Sequence, residues 1–161
     1  MELQDNMTGI LFQAVARARN QAIQAELSSR GLGDLGNPMI LFLLKDRGED
    51  RGVAAQRELS DALRVSPATV AVSLKSLEKA GYVEKLPDET DQRRKGVRLT
   101  AKGEGAFHRC LQVFQAVDQR MFDGFTDEEQ ERLSAYYARM VRNLRGEYPP
   151  ELCFRKDDRP C

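Results

Sequence analysis

The chain has 161 residues and a mass of 18.2 kDa, a length typical of one domain or of one domain with appended helices. With 41% hydrophobic and 31% charged residues, it has enough apolar side chains to bury a core. Its longest apolar run, Met39–Leu44, is far shorter than the roughly 18 residues that a membrane span needs, and its first residues lack a signal-peptide pattern. Three scattered cysteines (Cys110, Cys153 and Cys161) argue against a disulfide scaffold or a zinc site. We therefore expect a cytoplasmic protein with no membrane partner, metal or cofactor.

Basic and acidic residues are unevenly distributed along a chain whose formal net charge is zero. Residues 51–110 contain 12 Lys and Arg against 8 Asp and Glu, whereas the rest of the chain contains 13 against 17. A local basic patch, rather than the total charge, is what indicates a nucleic-acid partner. The excess is modest, so by itself it only permits such a partner.

Hydrophobic periodicity and cap residues predict helices towards both ends of the chain. The first helix ends before the glycine-rich segment 31–36, and Asn37-Pro38 is a start signal for the second helix. After the last helix the sequence has no periodicity. The predicted helices span 7–29, 38–46 and 100–124, followed by one that begins at the capping box Thr126-Asp-Glu-Glu129 and ends near 146.

The middle of the chain has a different pattern. Two short helices, 55–64 and 67–80, are separated only by the turn Val65-Ser66-Pro67, in which serine and proline are suited to start the second helix. Two short strands, 82–86 and 95–100, follow and flank a charged tip. A helix–turn–helix followed at once by a β-hairpin is a winged helix. The predicted fold class is therefore mainly α, a winged helix–turn–helix with a small hairpin wing between long terminal helices.

The second helix of the helix–turn–helix has two unlike faces. On a helical wheel, Val70, Leu74 and Leu77 fall together and are predicted to face the core. The opposite face is small, hydroxylated and basic, which suits close approach to base edges, hydrogen bonds to bases and contacts to phosphate. Because the wing follows, we favour DNA reading over an ordinary solvated face. The candidate reading positions are Ser66, Ala68, Thr69, Val72, Ser73, Lys75 and Ser76, with Lys79 on the same face and Val72 suited to a thymine methyl group.

The hairpin tip carries three successive cations, Arg93, Arg94 and Lys95. Guanidinium groups on a slender hairpin can enter the minor groove or bind phosphate. Asp91 lies two residues before Arg93 and is suited to orient it through a charge-assisted hydrogen bond. Charge at a hairpin tip is common, so the tip supports DNA binding only together with the preceding helix.

Five segments of the chain form a family pattern: Gln56-Arg-Glu-Leu-Ser-Asp-Ala-Leu, Ser66-Pro-Ala-Thr-Val, Leu77-Glu-Lys-Ala-Gly-Tyr-Val83, Asp88-Glu-Thr-Asp-Gln-Arg-Arg94 and Val97-Arg-Leu-Thr-Ala-Lys-Gly103. They resemble the MarR family of bacterial transcriptional regulators, over about residues 36–105 by motif and over the whole chain by helix order. The resemblance implies a homodimer whose terminal helices form the interface. It also implies a recognition helix in the major groove and a wing in the minor groove of a pseudo-palindromic operator. Family members commonly repress transcription and release DNA when a small ligand or an oxidant binds.

Three positions depart from the family's usual residues. Arg64 stands where the turn of the helix–turn–helix usually has glycine, so a non-glycine residue has to accept the turn geometry. Val72 and Ser76 stand where many members have arginine, so we expect no guanine reading there and an A/T-rich operator. Thr90 occupies a wing position that often holds a further arginine. These departures leave the predicted fold unchanged and the operator sequence open.

The terminal helices carry apolar stripes that a winged helix does not need for its own core. A symmetric dimer accounts for them and sets two recognition helices one DNA turn apart, whereas an intramolecular bundle is the alternative. We accordingly divide the chain into an N-terminal dimerisation helix (7–36), a DNA-binding domain (37–100), C-terminal dimerisation helices (101–146) and a loose tail (147–161).

Catalysis is not expected. The single histidine, His108, lies mid-helix beside Phe107, a context more typical of a packed or surface residue than of a catalytic or metal-binding one. The segment Gly31-x-Gly-x-x-Gly36 has the spacing of a dinucleotide-binding loop but follows no predicted strand. Cys110 lies on an apolar stretch, which favours a core residue over a redox sensor.

An effector site is expected but not located. Phe12, Phe42 and Tyr137 are candidates for a cleft and are equally well explained as core residues. The sequence thus predicts a non-enzymatic regulator, expected to be a repressor, that binds double-stranded DNA as a homodimer and responds to a small molecule. Two alternatives stay open: a winged helix used for protein interaction, and a cysteine-based oxidant-responsive regulator.

Overall fold

The computed structural model describes residues 7–46, 54–87 and 95–145, which fall into two compact units, one ending at Met121 and the other starting at Phe122. The described part of the second unit contains a single long helix, α6 (Asp127–Arg145). The elements described in the first unit are α1 (Met7–Ser29), a 3₁₀ turn (Gly33–Leu35), α2 (Met39–Asp46), β1 (Ala54–Ala55), α3 (Gln56–Leu63), α4 (Pro67–Lys79), β2 (Val83–Pro87), β3 (Lys95–Leu99) and α5 (Ala101–Met121).

This order confirms the predicted winged helix–turn–helix, and α1 has the predicted bounds. The helix predicted to extend to 124 ends at Met121, because the chain turns through 122–124 before α6 begins. The sequence pattern does not predict β1, since two residues are too few to show periodicity. The predicted loop 47–52, the hairpin tip at 88–94 and the tail 147–161 lie outside the described residues.

Strand β3 is the middle of a three-stranded antiparallel sheet, with β1 on one side and β2 on the other. In the hairpin, Val83 of β2 lies opposite Leu99 of β3, and Pro87 lies opposite Lys95. The side chains of Val83 and Val97 are buried, so the hairpin is held to the core through one face. The register therefore fixes where the wing leaves the body of the protein.

One hydrophobic core joins helices α2 to α5 and the sheet. Among its most enclosed side chains are Ile40 and Leu41 of α2, Leu59 of α3, Leu77 of α4 and Val113 of α5. Each such burial contributes about 1.5–3 kcal/mol to stability. The short apolar helix α2 is therefore a central element of the core.

Helix α1 joins this core only through its C-terminal half. Ile23 and Leu27 are its buried residues, whereas the residues of the first turns are exposed within the described chain. Arg19 pairs with Asp118 of α5 through two hydrogen bonds, of 2.7 and 3.0 Å. The N-terminal half of α1 therefore presents an apolar surface that the described part of the first unit leaves uncovered.

Helix α6 starts at the predicted capping box. The Thr126 hydroxyl accepts the Glu129 N–H at 3.3 Å, and the Glu129 carboxylate accepts the Thr126 N–H at 2.9 Å. No residue of α6 is buried in the described structure, although apolar side chains recur along it. The sequence therefore specifies the start of α6 locally, while Tyr136, Met140 and Leu144 along the helix remain exposed.

Helix α5 begins where its backbone passes close to the carbonyl of Tyr82. The Thr100 N–H donates to this carbonyl at 3.1 Å. A Cβ atom on Gly103 would lie 2.0 Å from the same oxygen, a distance at which no side-chain carbon fits. Glycine is therefore required at residue 103 by the packing of α5 on the end of α4.

We expect Gly103→Ala to destabilise the protein by about 3 kcal/mol, because the new methyl group forces the backbone of α5 away from Tyr82. Gly105 lies on the same helix, and a Cβ atom there would meet no other atom within 4 Å, so Gly105→Ala should instead stabilise the protein by about 0.5–1 kcal/mol. Urea unfolding followed by circular dichroism measures both changes. Equal effects of the two substitutions would contradict the packing role of Gly103.

Candidate nucleic-acid interface

Helix α4 is held against the core by one face. Val70, Leu74 and Leu77 are each no more than 3% exposed, which confirms the predicted core face. Their spacing of four and three residues places them on one side of the helix. The direction of the opposite face is therefore set by apolar packing.

The start of α4 is fixed by hydrogen bonds across the turn. The Ser66 hydroxyl caps the helix, accepting the Thr69 N–H at 3.1 Å, as predicted, and such a cap contributes about 1 kcal/mol. The Ser60 hydroxyl donates to the Val65 carbonyl at 2.7 Å. The Gln56 amide donates to the Pro67 carbonyl at 2.9 Å. The sequence pattern does not predict this last bond, since it joins residues eleven positions apart with no periodic signal.

The predicted reading positions lie together on the outer side of α4. Ser73 is half-buried at the edge of this surface, and Val72 is 71% exposed, which is unusual for an aliphatic residue. This placement suits contact with base edges, and the role of each residue stays a prediction. The exposed positions are Ser66, Ala68, Thr69, Val72, Lys75 and Ser76.

Arg64 has the left-handed backbone conformation that the turn requires. Its φ is +53°, and within the described residues it is the one non-glycine residue with positive φ. This conformation costs an L-residue about 1–2 kcal/mol. The expectation that a non-glycine residue accepts this geometry is confirmed, and the side chain is exposed, three residues before α4 begins.

Several cations of the helix–turn–helix form no ion pair within the described parts of the chain. On the wing strand β2, by contrast, Lys85 pairs with Glu78, and Arg98 of β3 pairs with Glu84. A cation without a nearby carboxylate can attract the negative charges of an anionic partner. The exposed cations without an ion pair are Arg57, Arg64, Lys75 and Lys79.

The wing is described along its strands but not at its tip. Arg98 donates to Glu84 at 2.6 Å directly across the hairpin, which stiffens the two strands. Lys95 is the first residue of β3. The predicted tip residues Asp91, Arg93 and Arg94 lie outside the described residues, so their roles stay predictions.

The aromatic residues considered for an effector cleft belong to both units, and each is described within its own unit. Phe42 packs edge-on against Phe107 and Phe114, with ring centroids 4.9 and 5.3 Å apart, and is therefore part of the core packing. Phe12 is exposed on α1, and Tyr137 is half-buried on α6. The core contacts of Phe42 explain this residue without a ligand, and an effector site stays a prediction.

The remaining candidate residues form no metal-binding cluster within the described part of the chain. His108 is exposed, with its ring 5.1 Å from that of Phe107. Residues 7–46, 54–87 and 95–145 contain no cluster of His, Cys, Asp or Glu side chains that would hold a metal ion. Across the same ranges, no helix has both the length and the apolar character to cross a bilayer.

Comparison with known proteins gives consistent matches. The model of the MarR family matches residues 30–94. An HTH-type transcriptional regulator of Bacillus subtilis, YybA, is 30% identical over 71% of this chain and 75% of its own length. The regulator BilQ of Clostridium symbiosum is 28% identical over 83% of this chain and 86% of its own length. A mutant MarR from E. coli, crystallised with operator DNA, has the same fold with a TM-score of 0.73 at 22% identity, covering 88% of this chain and 99% of that one.

The winged helix–turn–helix fold and the similarity to known regulators together define a protein of the class that regulates transcription. The chain belongs to the MarR family. It is therefore a DNA-binding transcriptional regulator and not an enzyme, as the sequence predicts.

Cys110 is fully buried in the core, and burial raises the pKa of its thiol from an ordinary value of 9.0 to about 11, with the Arg109 guanidinium acting in the opposite direction. We expect iodoacetamide at pH 8 to leave Cys110 unmodified in the folded protein and to modify it in denaturing urea, as read by peptide mass spectrometry. Rapid labelling of folded Cys110 would contradict this and favour the oxidant-responsive alternative.

The same shift in pKa makes stability depend on alkaline pH. The folded chain holds the Cys110 proton to a higher pH than the unfolded chain, so this contribution is complete below about pH 9 and is lost as the pH rises towards 11. Urea unfolding between pH 8 and 10.5 should therefore show a steeper loss of stability for the wild type than for Cys110→Ala.

Proposed function

We propose that the chain is a repressor that binds a pseudo-palindromic operator as a homodimer, with α4 in the major groove and the wing in the flanking minor groove. The observation that carries the proposal is the outer face of α4, which is exposed, free of acidic residues over its described length and bordered by cations without ion pairs. Such a surface is suited to contact base edges while the neighbouring cations contact phosphates. An ordinary solvated helix face does not require these features.

The residues of α4 favour a particular kind of base contact. Thr69, Ser73 and Ser76 offer hydroxyl groups, and Val72 offers an aliphatic side chain suited to a thymine methyl group. No arginine lies on α4, so bidentate arginine contacts to guanine are unavailable from this helix. These features support an A/T-rich operator.

The dimer is supported by apolar side chains exposed on the terminal helices. Contiguous apolar surface of this kind marks an interface more often than a solvated face. The exposed apolar residues are Met7, Ile10, Leu11, Phe12 and Val15 on α1, and Tyr136, Met140 and Leu144 on α6. We retain the division proposed from sequence, with dimerisation helices at 7–36 and 101–146 around a DNA-binding domain at 37–100.

Two solved structures with the same fold were crystallised with DNA. A mutant MarR from E. coli was crystallised with operator DNA, and a mutant MepR from S. aureus was crystallised with an oligodeoxyribonucleotide. Both matches concern the fold, so the groove assignments for this chain rest on its own α4 and wing. A bacterial cytoplasmic location and release by a small-molecule effector complete the proposal.

Binding-site selection from random duplexes, followed by anisotropy titration at several salt concentrations, tests the proposal. We expect Arg93→Ala and Arg94→Ala each to reduce the salt dependence by about one unit of slope, because each removes a phosphate contact. Thr69→Ala should instead change the preferred sequence, at a cost of about 1–3 kcal/mol. Lys45→Ala on α2 removes one exposed charge that pairs with Glu104, outside the proposed reading face and the dimerisation helices, and is the control.

No enriched duplex, with or without reductant, would contradict DNA binding by the free protein and favour the protein-interaction alternative. Unchanged affinity in both wing variants would contradict the proposed role of the wing while leaving α4 as the reading element.

Leu11→Glu should dissociate the proposed dimer, because it places a charge on the apolar face of α1 where Leu11 is 56% exposed. Analytical ultracentrifugation should show at least about a tenfold weaker association, which is a change of about 1.4 kcal/mol. Gln13→Glu adds the same charge to an exposed position of the same helix and is the control. A wild-type chain that remains monomeric would instead support an intramolecular bundle.

A further inference from the structure

The C-terminal end of the recognition helix α4 is held by residues that precede and begin α5. Three successive carbonyl groups, those of Ala80, Gly81 and Tyr82, follow the helix. Lys102 Nζ donates to the Ala80 carbonyl at 2.6 Å, and the Thr100 hydroxyl donates to the Gly81 carbonyl at 2.6 Å. The Thr100 N–H donates to the Tyr82 carbonyl at 3.1 Å. We call these three hydrogen bonds the clasp.

Lys102 makes a second contact in the same place. Its ammonium lies 4.7 Å from the centroid of the Tyr82 ring, over the ring face. Tyr82 itself is only 5% exposed and belongs to the core. A positive charge at the C-terminal end of a helix also interacts favourably with the helix dipole. Lys102 therefore ties the carbonyl of Ala80, the residue that follows α4, to a side chain that the core holds in place.

The same end of α4 is also connected to the wing. Glu78, in the last turn of α4, pairs with Lys85 of β2. Gly81 has φ +78°, the conformation that reverses the chain between helix and strand. The recognition helix, the wing strand and α5 thus meet within a few residues, and the clasp joins the first two to the third.

We propose that Lys102 is a positioning residue for DNA reading, which fixes the direction of α4 relative to the wing. This inference rests on the proposed function of α4. Hydrogen bonds to base edges depend strongly on direction, whereas long, flexible lysine and arginine side chains reach phosphate from many helix orientations. Loosening the clasp therefore weakens sequence discrimination more than it weakens general attraction to DNA.

The test compares Lys102→Met and Lys102→Arg in the full chain. Methionine keeps an unbranched side chain and removes the ammonium, whereas arginine restores a donor and a cation over Tyr82. We expect Lys102→Met to weaken binding to the selected operator about tenfold, the size of one charge-assisted hydrogen bond. Binding to a scrambled duplex of the same length and the salt slope on both duplexes should not change. Lys102→Arg should recover most of the loss.

The control is Arg109→Met, which removes an exposed charge from the same helix at a residue outside the clasp. Thr100→Val removes a second hydrogen bond of the clasp without changing the charge, and it should reduce discrimination in the same direction. All titrations are made at a temperature at which circular dichroism shows each variant to be folded, so loss of fold is separated from loss of position. Agreement between the Lys102 and Thr100 variants would support the clasp as a unit.

Three results would overturn the inference. An equal loss on both duplexes, with the salt slope reduced by about one, would make Lys102 a phosphate contact. Unchanged discrimination in both folded variants would leave the clasp with a purely structural role, while the proposed function would stand. A wild-type chain that binds neither duplex would contradict the proposed function, and the positioning role with it.

Discussion

The close approach of α5 to the Tyr82 carbonyl is the constraint on which the winged helix depends. The end of α4, the start of β2 and the first turn of α5 meet at this carbonyl, and Gly103 allows the backbones to touch. Because no side chain separates them, their distance is set by backbone atoms, which deform little. The distance between the end of α4, the start of the hairpin and α5 is therefore set by this backbone contact, on which the hydrogen bonds of Thr100 and Lys102 build.

The structure assigns different physical tasks to different parts of the chain. The core between α2 and α5 is closed by apolar side chains of its own, such as Ile40 and Leu77. The N-terminal half of α1 and the apolar residues of α6 contribute little to burial within their own units. The proposed association rests on the exposed apolar side chains of these two helices, such as Leu11 and Leu144.

Local signals explain most of what the sequence predicts correctly. The cap at Ser66, the buried face that includes Leu74 and the capping box at Thr126 each depend on residues within one or two helical turns. The close contact at Gly103 and the hydrogen bond from Lys102 join segments about twenty residues apart. No periodic pattern in the sequence predicts contacts of this kind. Sequence reasoning thus predicts which face of α4 is exposed but not the contacts at the end of that helix.

The backbone of Arg64 has a consequence for the balance between folding and charge. Every folded molecule bears the cost of a left-handed arginine, about 1 kcal/mol, whether or not DNA is present. The same free energy corresponds to about a fivefold change in an equilibrium constant. An arginine in this turn therefore lowers the free energy of unfolding. That loss is offset only where the guanidinium strengthens the binding of an anion at least fivefold.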